Sequence, residues 1–132
     1  MTRAIKLNLD RTFETFDLGE YPHLREVLEA DFDIVFLNGP IAMHPNQVTV
    51  GIAVDDMGLL KQGLEVNRLA TSLRGVFFGR QYEEPLLGVA VVIASDCEGE
   101  SVDVPNWAIE LITAIKKCTD EAIRYHQDPR YN

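Results

Sequence analysis

Apolar and polar side chains alternate from Ala4 to Leu9, with Ile5, Leu7 and Leu9 set against Lys6 and Asn8. That period of two predicts a half-buried strand. Thr12 to Leu18 repeats the pattern through Phe13, Phe16 and Leu18, and Asp10-Arg11 between the two runs predicts a tight hairpin turn. Pro22 stands where a first helical turn tolerates it, and Leu24, Val27 and Leu28 recur at helical spacing. They predict a short helix. Ile34 to Leu37 is a compact apolar strand, stopped by the breaker Asn38-Gly39-Pro40.

Further along, Val48, Val50, Ile52 and Val54 alternate with Thr49, Gly51 and Ala53, the clearest strand pattern in the chain. Leu64, Leu69, Ala70 and Leu73 fit a short helix ended by Gly75. Leu86 to Ala94 carries no charge and predicts a central strand buried on both faces. A polar turn, Asp96 to Glu100, follows. Pro105 opens one long helix whose apolar stripe is Trp107, Ile109, Leu111, Ile112, Ile115 and Ala122, and Asp128-Pro129 ends it. The sum is an α+β fold: a mixed or antiparallel sheet of four to six strands, one short helix, and a long C-terminal helix packed on it. We expect a single domain over residues 1–132.

The net charge of −9 excludes a broad electrostatic grip on a nucleic-acid duplex or an anionic membrane. With 46% hydrophobic and 25% charged residues, the composition is that of a globular protein able to bury a core unaided. Cys97 and Cys118 stand in no metal-ligand or paired spacing, which predicts reduced thiols. The N-terminal residues lack a signal-peptide core and no apolar run reaches the length of a membrane span, so a cytoplasmic location is expected.

Candidate chemistry concentrates between Asp55 and Arg80. Arg68, Arg74 and Arg80 are a quarter of the 12 cationic side chains of an otherwise acidic chain. Each offers a permanent charge and a planar fork of donors suited to phosphate or carboxylate. Asn67, Arg68 and Thr71 form a polar cluster that can hold a phosphate or an adenine edge. The same residues also fit a turn in which Asn67 caps a helix and Arg68 pairs with Glu65. Arg74 and Arg80 flank Gly75-Val76-Phe77-Phe78-Gly79. That segment reads either as a loop where Phe77 stacks on a base, or as a strand with its phenylalanines in the core. The candidate ligand-binding residues are therefore Asn67, Arg68, Thr71, Arg74, Phe77 and Arg80, with the arginines expected at the surface. No catalytic constellation or cofactor motif stands out, and His23, His44 and His126 lie too far apart for a zinc site.

The run from Val54 to Glu100 resembles a family of short uncharacterised accessory proteins of bacteriophages, plasmids and some bacterial genomes. Its core has the form N/D-x-x-G-K-L-x-G-L-P-x-N-R-x-A-T. Here the match runs through Asp55-Asp56-Met57-Gly58-Leu59-Leu60 and then Gly63-Leu64-Glu65-Val66-Asn67-Arg68-Leu69-Ala70-Thr71. The strand Gly88 to Ile93 and the acidic turn Asp96 to Glu100 follow in the family's order. Val66 replaces the proline before Asn67, and Gln62 intervenes before Gly63. The resemblance implies an accessory gene on mobile DNA and brings no established activity with it. Together with the arginine-, aromatic- and glycine-rich segment, it leads us to expect a non-catalytic binder of a small anionic nucleotide. Such a protein would act as a sponge for a host immune signal, a cyclic nucleotide or a cyclic ADP-ribose isomer, and would work as a homo-oligomer with pockets between protomers. Two alternatives stay open: an acidic protein-binding inhibitor of a host defence enzyme, and a nucleotide-modifying enzyme.

Overall fold

A computed structural model describes residues 2–20, 28, 32–37, 48–55, 65–78, 85–96 and 98–127. The expected helix after Pro22, apart from Leu28, lies outside them, as do the breaker at Asn38-Gly39-Pro40 and the expected stop at Asp128-Pro129. The described chain forms an antiparallel sheet of six strands with two helices, an α+β fold. The strands are β1 (Arg3–Leu7), β2 (Phe13–Asp17), β3 (Phe32–Phe36), β4 (Thr49–Asp55), β5 (Ala90–Ser95) and β6 (Ser101–Val102). The helices are α1 (Arg68–Phe78) and α2 (Asn106–Gln127). Across the sheet the order is β2-β1-β5-β4-β3, with β6 also on β5.

The period-two pattern sets the register. Ile5 pairs with Val92, Val92 with Ile52, and Ile52 with Val35, which draws one aliphatic row across four strands. This row faces the core that Leu69, Ala70 and Leu73 of α1 share with Ala108, Ile112 and Ile115 of α2. On the other face Ala53 and Val91 are also fully buried, so the sheet centre is covered on both sides.

Two boundaries differ from expectation for local reasons. The central strand starts at Ala90 rather than Leu86, because Gly88 takes a φ of 79° that a strand cannot carry. Leu87 instead makes an isolated bridge to Val66. Gly75 does not end α1. The helix continues to Phe78, so Val76, Phe77 and Phe78 lie neither in a loop nor in a strand. An interior glycine costs a helix about 1 kcal/mol, less than the burial of Leu69 and Leu73 returns. In α2 the buried stripe is Ala108, Ile112 and Ile115, with Ile109 and Leu111 packed beside it. Trp107 and Ala122, expected in that stripe, are exposed.

Turns and clamps fix the elements. In the β1–β2 hairpin the Asn8 carbonyl accepts the Arg11 N–H, and Asn8 N–H donates to the Thr12 carbonyl. Arg11 adopts a φ of 70°, the left-handed position that closes a three-residue hairpin loop. Its guanidinium reaches Asp120 of α2 at 3.3 Å. At the other end, Arg3 N–H donates to the Asp103 carboxylate, and Arg3 Nη2 donates to the Val104 carbonyl and to Asn106 Oδ1. The N-terminal strand is thereby fastened to the start of α2.

Candidate functional site

The Asn67–Arg80 segment is governed by the start of α1. Asn67 directly precedes the helix, and its Oδ1 accepts the Ala70 N–H at 3.0 Å, the geometry of an N-cap. Its Nδ2 donates at 2.9 Å to the carbonyls of Leu7 and Gly88. Asn67 N–H donates to the Leu86 carbonyl, and the whole residue is buried at 0% exposure. Every polar atom of the Asn67 side chain is thus engaged inside the protein. This hydrogen-bond set also fixes which end of the amide is oxygen.

Thr71 lies one turn further on and faces the same stretch. Its Oγ1 accepts the Leu86 N–H at 2.9 Å, which leaves the hydroxyl hydrogen to donate elsewhere. Arg74, expected at the surface, is buried at 8% exposure, and its side chain is not free. Phe77 falls near the end of α1, and Arg80 lies outside the described residues.

Arg68 is placed differently. It is exposed, and the six residues to Arg74 make about one and two-thirds helical turns, so the two arginines leave α1 in different directions. The structure brings Asn67 and Thr71 together against Leu86, and of the two only the half-buried Thr71 also shares a depression with Arg68. Arg68, Ser72 and Val76, four residues apart and all exposed, form one wall of an open groove of about 580 Å³. The opposite wall comes from Ala114, Ile115, Cys118, Thr119 and Ala122 of α2. A second depression of about 270 Å³ adjoins it, where Arg68 meets Val66, Thr71, Ser72 and Thr119.

Where the two depressions meet the surface is therefore polar, with a guanidinium and three hydroxyl groups, while the rest of the groove is aliphatic apart from Cys118. That arrangement can hold an anion by charge-assisted hydrogen bonds and lay an apolar body beside it. The groove side chains Ser72, Ala114, Cys118 and Ala122 carried no signal in the sequence reading. A helical wheel continued through Gly75 would have found the α1 half.

Among the described residues, no group of three or more His, Cys, Asp and Glu gathers as metal ligands do. No described helix is long and apolar enough to cross a membrane. Comparison with protein families, curated proteins and solved structures finds no match.

Proposed function

We propose that this protein binds a small anionic nucleotide without transforming it, with Arg68 as the partner of the phosphate. One observation carries the reading. Arg68 is presented to solvent where two adjoining depressions meet, beside the hydroxyls of Thr71, Ser72 and Thr119. The aliphatic walls from Val76, Ala114 and Ile115 offer the surface for a ribose or base. Sequestration of a host immune signal in the host cytoplasm is the role suggested by the resemblance to phage accessory proteins. A homo-oligomer also suits the open groove, as the form the protein takes when no nucleotide occupies it.

Calorimetric titration with cyclic nucleotides and cyclic ADP-ribose isomers tests it. Arg68→Ala removes one charge-assisted contact and should weaken binding by about ten- to a hundredfold. Its thermal unfolding should not move, because exposed arginines contribute little to stability. Arg74→Ala is the wrong probe, since burial makes any lost affinity inseparable from a loosened core. If the wild-type protein binds none of these ligands, the nucleotide reading fails.

A second reading, an acidic inhibitor of a host defence enzyme, is favoured by a different observation. Asn67 and Thr71 bond backbone groups inside the fold and Arg74 is buried, whereas Glu98, Glu100 and Asp103 are exposed in close succession. Such a run can face a basic groove on a protein partner. Charge reversal of Glu98 and Glu100, which leaves the Asp103 bond to Arg3 intact, should then abolish inhibition and leave nucleotide titrations unaffected.

A further inference from the structure

We infer that the groove between α1 and α2 receives α2 of a second copy, in an antiparallel pair whose two-fold axis passes midway between Ala114 and Cys118. Glu110, Ala114, Cys118 and Ala122 stand four residues apart on α2, and all four are exposed. They make one ridge inclined to the helix axis, in which Ala114, Cys118 and Ala122 line the groove and Glu110 continues the ridge by one further turn. Three of the four are small, so a second helix can approach at the near end of the usual 8–10 Å spacing. Across the groove Val76 is 58% exposed, an aliphatic side chain that a helix seated there would cover.

Charge selects both the occupant and its direction. Arg68 lies toward the Thr119 end of the groove, because Thr119 is the α2 residue with which it shares both depressions. A two-fold axis between Ala114 and Cys118 sets Ala114 of one copy against Cys118 of the other. It also carries Glu110 of each copy to the Ala122 end of its mate, beside Arg68. Symmetry makes this contact twice, as a closed isologous interface requires. A parallel pair would set Glu110 against Glu110 and leave both arginines unanswered. In a chain with a net charge of −9, the antiparallel arrangement meets acid with the exposed cation of the groove.

Arg68 is also the residue assigned above to the nucleotide, so the second copy's Glu110 and the ligand compete for one guanidinium. Nucleotide binding would then shift the pair toward monomer, by the same factor that pairing weakens the nucleotide.

Sedimentation equilibrium of nucleotide-free protein tests the pair. The mass should rise with concentration from 14.8 kDa toward twice that value. Arg68→Glu alone and Glu110→Arg alone should each weaken association by about tenfold, through like charges brought face to face. The double exchange should return it to near wild type, a rescue that a merely structural role would not give. Ala114→Trp, which fills the crossing point, should leave a monomer with unchanged thermal unfolding. A monomer at several hundred micromolar overturns the inference, as does a dimer indifferent to both single reversals. Because ligand is absent, a monomeric protein that still binds nucleotide refutes the pair and leaves the proposed function standing.

Discussion

Asn67 offers a test that separates two roles one side chain performs together. As an N-cap it accepts the Ala70 N–H, and as a donor it satisfies the carbonyls of Leu7 and Gly88, 60 and 21 residues away. Asn67→Ala removes all three contacts from a site at 0% exposure. The cap is worth about 1 kcal/mol. Each buried carbonyl left without its donor adds about 1–2 kcal/mol. The total of about 3–5 kcal/mol is a large part of the 5–15 kcal/mol that a domain of this size has. Asn67→Asp is the discriminating variant. Aspartate caps helices as well as asparagine does, yet its second oxygen would face the two carbonyls with no hydrogen to give. If the donor role dominates, Asn67→Asp should cost at least as much as Asn67→Ala at neutral pH. Urea unfolding, with midpoints and slopes compared across the three proteins, measures this directly. An Asn67→Asp protein within about 1 kcal/mol of wild type would refute the reasoning and reduce Asn67 to a helix cap.

Gly75→Ala should stabilise the protein by about 0.5–1 kcal/mol, since a Cβ there meets nothing within 4 Å and alanine suits a helix. A lowered melting temperature by calorimetry would show that α1 does not continue through this position. Val91→Asp should prevent folding, because it sets a carboxylate at 0% exposure in the central strand; a cooperative, unchanged melt would contradict the sheet order. Asp17 accepts the backbone N–H groups of Thr2 and Gly19, which hold its carboxyl below its ordinary value of 3.8. Its contribution is therefore complete above that value and is lost as acid passes through the lowered one, so Asp17→Asn should flatten the fall in stability below about pH 4.

The sheet was legible where large apolar side chains alternate with small or polar ones, as in Ile5–Leu7 and Val50–Ile52–Val54, and where an unbroken apolar run marks a strand covered on both faces, as in Ala90–Ala94. The same rule stopped short at Leu86–Val89. Those residues are as apolar as the strand after them, but the positive φ of Gly88 and the bridge from Leu87 to Val66 are tertiary facts. Composition gave no sign of them. In α2, helical spacing found Ile112 and Ile115 but drew Trp107 and Ala122 onto the core face in place of Ala108. Large side chains weigh most in an apolar stripe, and a small buried residue carries the least signal. The arginines illustrate the other kind of failure. Counting them together treated a stretch of sequence as a surface, whereas α1 turns Arg68 outward and Arg74 inward.

The spacing within Asn67-Arg68-Leu69-Ala70-Thr71 has a structural cause, and the cause indicates which residue can carry function. The chain from Glu65 to Thr71 grips Leu86–Gly88 from several directions. Gly88 N–H donates to the Glu65 carbonyl, Asn67 N–H to the Leu86 carbonyl, Asn67 Nδ2 to the Gly88 carbonyl, and Leu86 N–H to Thr71 Oγ1. Asn67 and Thr71, four residues apart, must lie on the same side of the first turn to do this. Leu69 and Ala70 are buried at 1% and 0% exposure, so both are held by packing. Arg68 alone of the five points to solvent. The clamp fixes where its Cα sits and in which direction its side chain leaves, while nothing in the clamp depends on its charge. A residue positioned by its neighbours and not needed by them is where binding chemistry can be placed without cost to the fold. Arg68→Lys sharpens the point: it keeps the charge and loses the planar fork, so it should preserve stability while weakening a bidentate phosphate contact.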